Sequence, residues 1–449
     1  MNQTKKYKSV DLPYSTYETM NFPEDAKKKI FEITEEAVKE GRFDCSQDIY
    51  IDRKNLEYRA YWIYKTKYPM IKPMKGFGIE ERFFPFKKTN FEFDLDGLEV
   101  EKELDFTAVG DLMCTKGLEE SKDLLYEYVA DDIFDADYRF ANLESTLTKG
   151  ELIPLEISMN KTPSISATLE QYKTMISHKG KFYDVVQLSN NHILDRGEEG
   201  VETTLSQLKQ DRIDQIGIFE TEKDANNSKI VEVNGIKIAW VSYTFSVNGK
   251  PIPEDKPWIV KMAPYSVEKD PDITSIVEEI KVSKKVADLV FLSIHWGWEF
   301  EFFPHPDQLK SAESFVEAGV DAIIGHHPHV IQPVEILHPS YDKSKNVPVI
   351  YSLGNLTSVL SNPSTVLSLI ARFKIVKGYN KKKGIEQVKI SSGNFTPVVV
   401  VLEDKPLKDI LRVIKLKDLI KNSHDEEMAK YVENISYYAE LIFGDDWKR

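Results

Sequence analysis

The hydrophobic rhythm of the chain changes along its length. Over residues 1–100 the apolar positions are largely aromatic and interspersed with Lys and Pro, with one good helical period at 23–40. From 104 to 402, apolar runs of strand length alternate with amphipathic segments, predicting helices over 121–128, 167–176, 200–210, 272–285 and 306–317. Such alternation is the signature of an α/β fold. Asn234-Gly235, set between apolar stretches at 229–233 and 236–243, predicts a tight hairpin. Asp94-Leu95-Asp96-Gly97-Leu98 predicts a turn between two strands. After Val366 the apolar runs crowd together, which suggests an antiparallel finish. Residues 406–421 and 424–443 read as two closing helices, with Pro406 at a first helical position. The expected division is an N-terminal extension (1–100), a main domain (101–405) and C-terminal helices packing on it (406–449).

One arrangement recurs six times inside the main domain: an apolar run ends and a short polar cluster follows at once. The clusters are Gly110-Asp111, Asn142-Leu143-Glu144, Asn190-Asn191-His192, His295-Trp296-Gly297, Gly325-His326-His327-Pro328-His329 and Gly354-Asn355. In α/β sheets, ligands bind beyond the carboxyl ends of strands, so six such clusters can converge on one point. Singly, each has a plain structural reading: Asp111 as a helix cap, Glu144 as a solvated carboxylate, Asn190-Asn191 as a turn. Together, Asp111, Glu144, Asn191, His192, His295, His327 and His329 form a mixed nitrogen and oxygen set. That set suits Mn2+, Fe2+ or Zn2+ better than Ca2+ or Mg2+ alone. Two such ions sharing a carboxylate would clamp a displacement reaction, with a metal-polarised water as the nucleophile. Six of the nine histidines fall between positions 192 and 329. His305 and His338 stand outside the clusters and read as structural.

Composition narrows the function. The formal net charge of −14 argues against a general nucleic-acid binder. An acidic protein can still hold an anionic substrate where metal ions supply local positive charge. The two cysteines, Cys45 and Cys114, imply no disulfide framework, and Cys114 reads as packing rather than as a ligand. No apolar run approaches membrane-spanning length, and no apolar stretch follows the first lysines. A cytoplasmic protein is therefore expected, with peripheral membrane association left open.

With these six motifs in order, the chain resembles the bacterial CapA family of poly-γ-glutamate capsule synthesis, related to the calcineurin-like metallophosphoesterases. The resemblance spans about residues 104–355. It implies a four-layer αββα sandwich with a binuclear centre at one sheet edge. It also implies Asp111 on the first metal, Glu144 bridging, and Asn191 and His295 on the second. In His327-Pro328-His329, the first histidine would face the second metal and the last the first. His192 matches the histidine that donates a proton to the leaving oxygen or stabilises its charge. Asp195 would either orient His192 or cap the helix that follows. Two positions depart from the wider superfamily. Its Asp-x-His is here Asp111-Leu112-Met113, so the first metal loses one imidazole and keeps that of His329, and its Gly-Asp-x-x-Asp is here Asn142-Leu143-Glu144. Asn355 has no implied metal role and reads as lining or structure.

Three functions remain open at this point. A two-metal phosphoesterase-type hydrolase is motivated by the ligand set plus His192. A non-hydrolytic part in making or exporting an anionic capsule polymer, with capsule-synthesis protein partners, follows from the family. A dinuclear amidohydrolase is disfavoured, because its His-x-His lies on the first strand of a barrel, whereas here the motif follows the fifth cluster. The substrate, phosphoester or anionic polymer, is not encoded in the motifs. Trp296, Trp298 and Phe302 are candidates for an aromatic wall or for core.

Overall fold

The protein is described here as a computed structural model, which covers residues 7–8, 20–152, 157–158, 163–358, 360–405, 408–423 and 425–449. Two sheets pack face to face. The first runs, in order, Tyr7–Lys8, Ile385–Lys405, Leu367–Asn380, Leu98–Leu112, Tyr138–Leu143, Val185–Gln187 and Asp214–Ile216. Asn90–Glu92 and Lys408–Lys415 also pair with Ile385–Lys405, and Asn355–Thr357 continues beside the end of Leu98–Leu112. The strands from Leu98–Leu112 to Asp214–Ile216 are parallel, and the long hairpin after residue 366 is antiparallel as expected. The second sheet runs Lys229–Val233, Ile236–Thr244, Leu289–His295, Ala322–His326, Val347–Ile350 and Val334–Leu337, parallel through its centre.

Between the sheets lies a core of aromatic and β-branched side chains. Phe140 stacks on Trp240 with ring centres 4.8 Å apart, and Phe106 meets Phe291 edge-on at 5.2 Å. Trp240 donates to the Tyr138 hydroxyl across the interface at 3.1 Å. Helices Leu169–Ile176 and Gly197–Asp211 lie on the side of the first sheet, and Thr274–Ser283 and Pro306–Ala318 flank the second. The result is the α/β sandwich that the motif resemblance implies. Among the described residues, no helix is long and apolar enough to cross a membrane.

Most predicted elements appear near their expected bounds. Asn234 and Gly235 adopt φ of 51° and 73°, the paired left-handed conformations that a two-residue hairpin needs. Two elements differ. Residues 121–128 form a 3-10 turn, Glu119–Ser121, and further turns rather than a helix. Asp123 is left-handed (φ 59°), the Leu124 carbonyl accepts from Arg412 as well as from the Glu127 amide, and the Leu125 carbonyl accepts from the Val413 amide. The expected helix over 406–421 is a strand, Lys408–Lys415, followed by the helix Leu416–Asn422. The β-branched Ile410, Val413 and Ile414 favour the pleat. Arg412 is buried there against Glu403 at 2.7 Å. Pro406 and His424 lie outside the described residues.

The N-terminal residues bind tightly to the sandwich. Helix Leu56–Lys67 starts at the Asn55 cap, whose side chain accepts from the Glu57 amide. Its Lys65 reaches the buried Glu301 at 2.5 Å, and His305 completes that carboxylate's shell at 2.9 Å. Burial opposes ionisation of Glu301, but Lys65 and His305 outweigh it and hold the carboxyl down to about 2. Its stabilising contribution is therefore complete above the ordinary carboxylate range and is lost as pH falls toward 2. Lys65→Met leaves this carboxylate with His305 and the Tyr61 hydroxyl only. A loss of about 3 kcal/mol at neutral pH, read by urea unfolding, is the expected outcome.

Candidate metal centre

All six strand-end clusters arrive at one edge of the sandwich. Asp111 lies at the end of Leu98–Leu112, His295 and His326 are the last residues of their strands, and Glu144 follows Tyr138–Leu143 at once. Asn191 and His192 sit in the turns after Val185–Gln187. His327 and His329 flank Pro328 with φ of 98° and 58°. Two non-glycine residues held in the left-handed region mark a strained turn, of the kind found where side chains must be aimed.

Close approach of the backbones explains the glycines in these motifs. A Cβ at Gly110 would stand 2.0 Å from the Gly354 carbonyl oxygen, and one at Gly325 would stand 2.0 Å from that of Tyr351. Only hydrogen fits at either position, so the strand ends bearing Asp111, His326 and Asn355 are drawn together.

The side chains form two triads of potential ligand atoms, each within 4.8 Å of one another: Glu144, His295 and His327; and Asp111, Glu144 and His329. Glu144 belongs to both. Its Oε1 lies 3.5 Å from His295 Nε2 and 3.9 Å from His192 Nε2. Asn191 Oδ1 is 3.0 Å from His295 Nε2, which places the amide oxygen at the same side of the site. Every residue of this group is at least 95 % buried. Glu144 Oε1 and both ring nitrogens of His327 have no hydrogen-bond partner among the described residues. Buried polar atoms left without partners are costly, and here they converge with carboxylates and imidazoles. The residues present therefore fit divalent cations.

Electrostatics agree. Burial opposes ionisation of Asp111, yet the hydrogen bond from His326 at 2.8 Å and the neighbouring His295 and His329 outweigh it and hold its carboxyl well below the usual range. Glu144 is pushed well up, first by burial and then by Asp111. Two carboxylates in one dry site resist joint ionisation unless cations join them. Burial pulls His295 down to about 3 and holds His327 well below the ordinary imidazole range, which keeps both imidazoles neutral, as metal ligation requires. Phe245 packs 4.2 Å from the His327 ring and stacks on His295, and Phe300 lies 6.0 Å from His329.

His192 is set apart by its carboxylate. Its Nδ1 is 2.6 Å from Asp195 Oδ2, which also accepts from the Ile165 amide. Burial lowers the affinity of His192 for a proton, but Asp195, then Glu144 and Glu299, raise it by more. Arg196, not Asp195, stands at the N-cap of Gly197–Asp211, and no side chain caps that helix.

Several neighbours of the centre were not singled out by sequence reasoning. Asn142 donates to Asp111 Oδ1 at 2.8 Å, and His326 Nδ1 lies 2.8 Å from the same oxygen. Both lie inside the motifs, where strand-end position was their available signal. Phe245 and Glu299 carried no comparable signal. Asn355 accepts from His329 Nδ1 at 3.0 Å. Cys114 is no thiolate donor, since burial pushes its thiol up to about 12. His305 stacks on Trp298 at 3.5 Å beside Glu301. Trp296 and Trp298 donate to the Tyr351 and Ile49 carbonyls and belong to the core.

The sequence matches the family described as "Bacterial capsule synthesis protein PGA_cap" over residues 105–359, more than half of the chain and the span that carries all six motifs. The chain belongs to this family. Among similar proteins, "Capsule biosynthesis protein CapA" of Bacillus anthracis is 28% identical over 309 residues, covering 67% of this chain and 71% of that protein. "PGA biosynthesis protein CapA" of Bacillus subtilis (strain 168) is 28% identical over 310 residues, covering 68% and 76%. The CapA resemblance read from the motifs thus holds, and residues 1–104 of this PGA_cap member lie outside the family match.

Proposed function

We propose that this PGA_cap protein is a hydrolase of phosphoester type that uses two divalent ions, Mn2+, Fe2+ or Zn2+. The observation that carries the reading is the sharing of Glu144 by two buried triads of ligand atoms. Asp111, Glu144 and His329 would hold one ion, and Glu144, Asn191, His295 and His327 the other. Bound there, two ions supply positive charge for an anionic substrate and activation of a water.

The protein's own residues account for the remaining requirements. Asp195 fixes the His192 ring and favours its charged form, so a proton is held at Nε2 on the Glu144 side of the ring. From there His192 can pass it to a leaving oxygen. Phe245 and Phe300 exclude water from the imidazole side, which strengthens each charge interaction inside. His192→Ala is expected to leave bound Mn2+ unchanged and to lower turnover of a phosphomonoester or phosphodiester panel by about 10²–10⁴-fold. Unchanged turnover removes His192 from the chemistry, and failure of the wild type to take up any metal removes the hydrolase reading.

The relatives' names speak of capsule and PGA biosynthesis, which motivates a second reading: a non-hydrolytic part in making or exporting an anionic capsule polymer, with capsule-synthesis partners. A deletion strain complemented with the His192→Ala protein separates the two. Restored surface polymer favours the non-hydrolytic part, and lost polymer favours hydrolysis.

A further inference from the structure

Glu299 lies four residues beyond His295 and outside both triads. Its Oε2 accepts from the Trp62 indole at 2.5 Å, an interaction supplied by the N-terminal helix Leu56–Lys67. Its Oε1 has no hydrogen-bond partner among the described residues and stands 3.7 Å from His329 Nε2, with the side chain 21% exposed.

The tautomer of His329 gives this spacing a meaning. The Asn355 amide nitrogen faces the His329 and Thr365 carbonyls and the Ser358 hydroxyl, so its oxygen is the atom turned to His329. His329 Nδ1 therefore donates to Asn355 Oδ1 at 3.0 Å, which leaves Nε2 as the ring nitrogen turned to Glu299. At 3.7 Å this nitrogen and the Glu299 carboxylate oxygen are too far apart for a direct hydrogen bond. Two donors that share an ion at ~2.0–2.2 Å stand about 3–3.7 Å apart.

A second observation concerns the donors available to this triad. Where the wider superfamily has an imidazole, this chain has Met113, which is buried with its sulfur 4.0 Å from the Ser358 hydroxyl. No nitrogen or oxygen donor comes from that position.

We propose that Glu299 is a further ligand of the ion held by Asp111, Glu144 and His329, supplying from the solvent side the donor that Met113 does not. The assignment rests on the two-metal reading above. It makes the N-terminal segment part of the centre, because Trp62 leaves only one Glu299 oxygen free to face His329. The Lys65–Glu301 pair anchors the same helix to the same loop. Three carboxylates against two divalent ions still leave the centre net positive, as an anionic substrate requires.

The test is calorimetric titration of the metal-stripped full chain with Mn2+. Wild type is expected to show two binding steps. Glu299→Gln weakens one step by about 10–100-fold and leaves the other in place. Trp62→Phe weakens the same step by less. Adding Met113→His to Glu299→Gln restores part of the lost affinity, which a general folding defect would not allow. Wild-type affinities at both steps in Glu299→Gln overturn this inference alone, as does an equal loss at both steps without rescue. A wild type that binds no Mn2+ overturns the two-metal reading with it.

Discussion

Glu144→Gln is expected to cost the protein both metal ions, because Glu144 is the one residue common to the two triads. Turnover should fall by at least about 10³-fold, equivalent to roughly 4 kcal/mol of barrier. The companion His327→Ala should remove the ion of one triad and spare the other. Stability separates loss of metal from loss of fold. In chelator, Glu144→Gln should be as stable as wild type or slightly more so. The carboxyl it replaces is already pushed toward its neutral form by burial and by Asp111. With Mn2+ at 100 times its dissociation constant, wild type should gain about 2.7 kcal/mol per site, and the variant should gain nothing. A Glu144→Gln protein that keeps two ions would show that the triads do not share this carboxylate.

Gly325→Ala should have the largest effect on the fold. The added methyl would meet the Tyr351 carbonyl oxygen at 2.0 Å and the Trp296 indole nitrogen at 2.7 Å, two atoms that bond to each other at 3.1 Å. Neither neighbour can yield without moving the central strands of the second sheet. A loss of about 3 kcal/mol or more is expected in urea unfolding, at the upper end for overpacking. Metal affinity should fall with it, since His326, His327 and His329 follow directly. Gly180→Ala is the control: its Cβ would meet nothing within 4 Å, so only the cost of a left-handed backbone, about 1 kcal/mol, remains. Equal losses at the two sites would mean that close packing at Gly325 is not what brings the motifs together.

Much of the centre was legible because its chemistry sits at strand ends. Asp111, Glu144, Asn191, His295, His327 and His329 each follow an apolar run, and topology alone then brings them to one edge. The Asn234-Gly235 hairpin was legible for a similarly local reason, the need for two left-handed residues in succession. Legibility failed where distant partners decided the outcome. Residues 121–128 have a helical period, but the Leu124 and Leu125 carbonyls accept from Arg412 and Val413, nearly 300 residues away. Lys408–Lys415 looks helical in isolation and becomes a strand because Ile385–Lys405 offers it an edge. Glu299 was overlooked because nothing in His295-Trp296-Gly297-Trp298-Glu299 shows that Trp62 will hold one of its oxygens. Phe245 follows the strand Ile236–Thr244 and looks like ordinary core until His327 is found 4.2 Å away.

The hydrolase reading and the Glu299 assignment both depend on the two-metal centre. Anomalous diffraction from crystals of the full chain loaded with Mn2+ tests it most directly. Two peaks about 3.5–4 Å apart, one beside Asp111 and His329, the other beside His295 and His327, and both touching Glu144, are the predicted result. A single peak that Glu144 does not touch, or no peak among these residues, would contradict it.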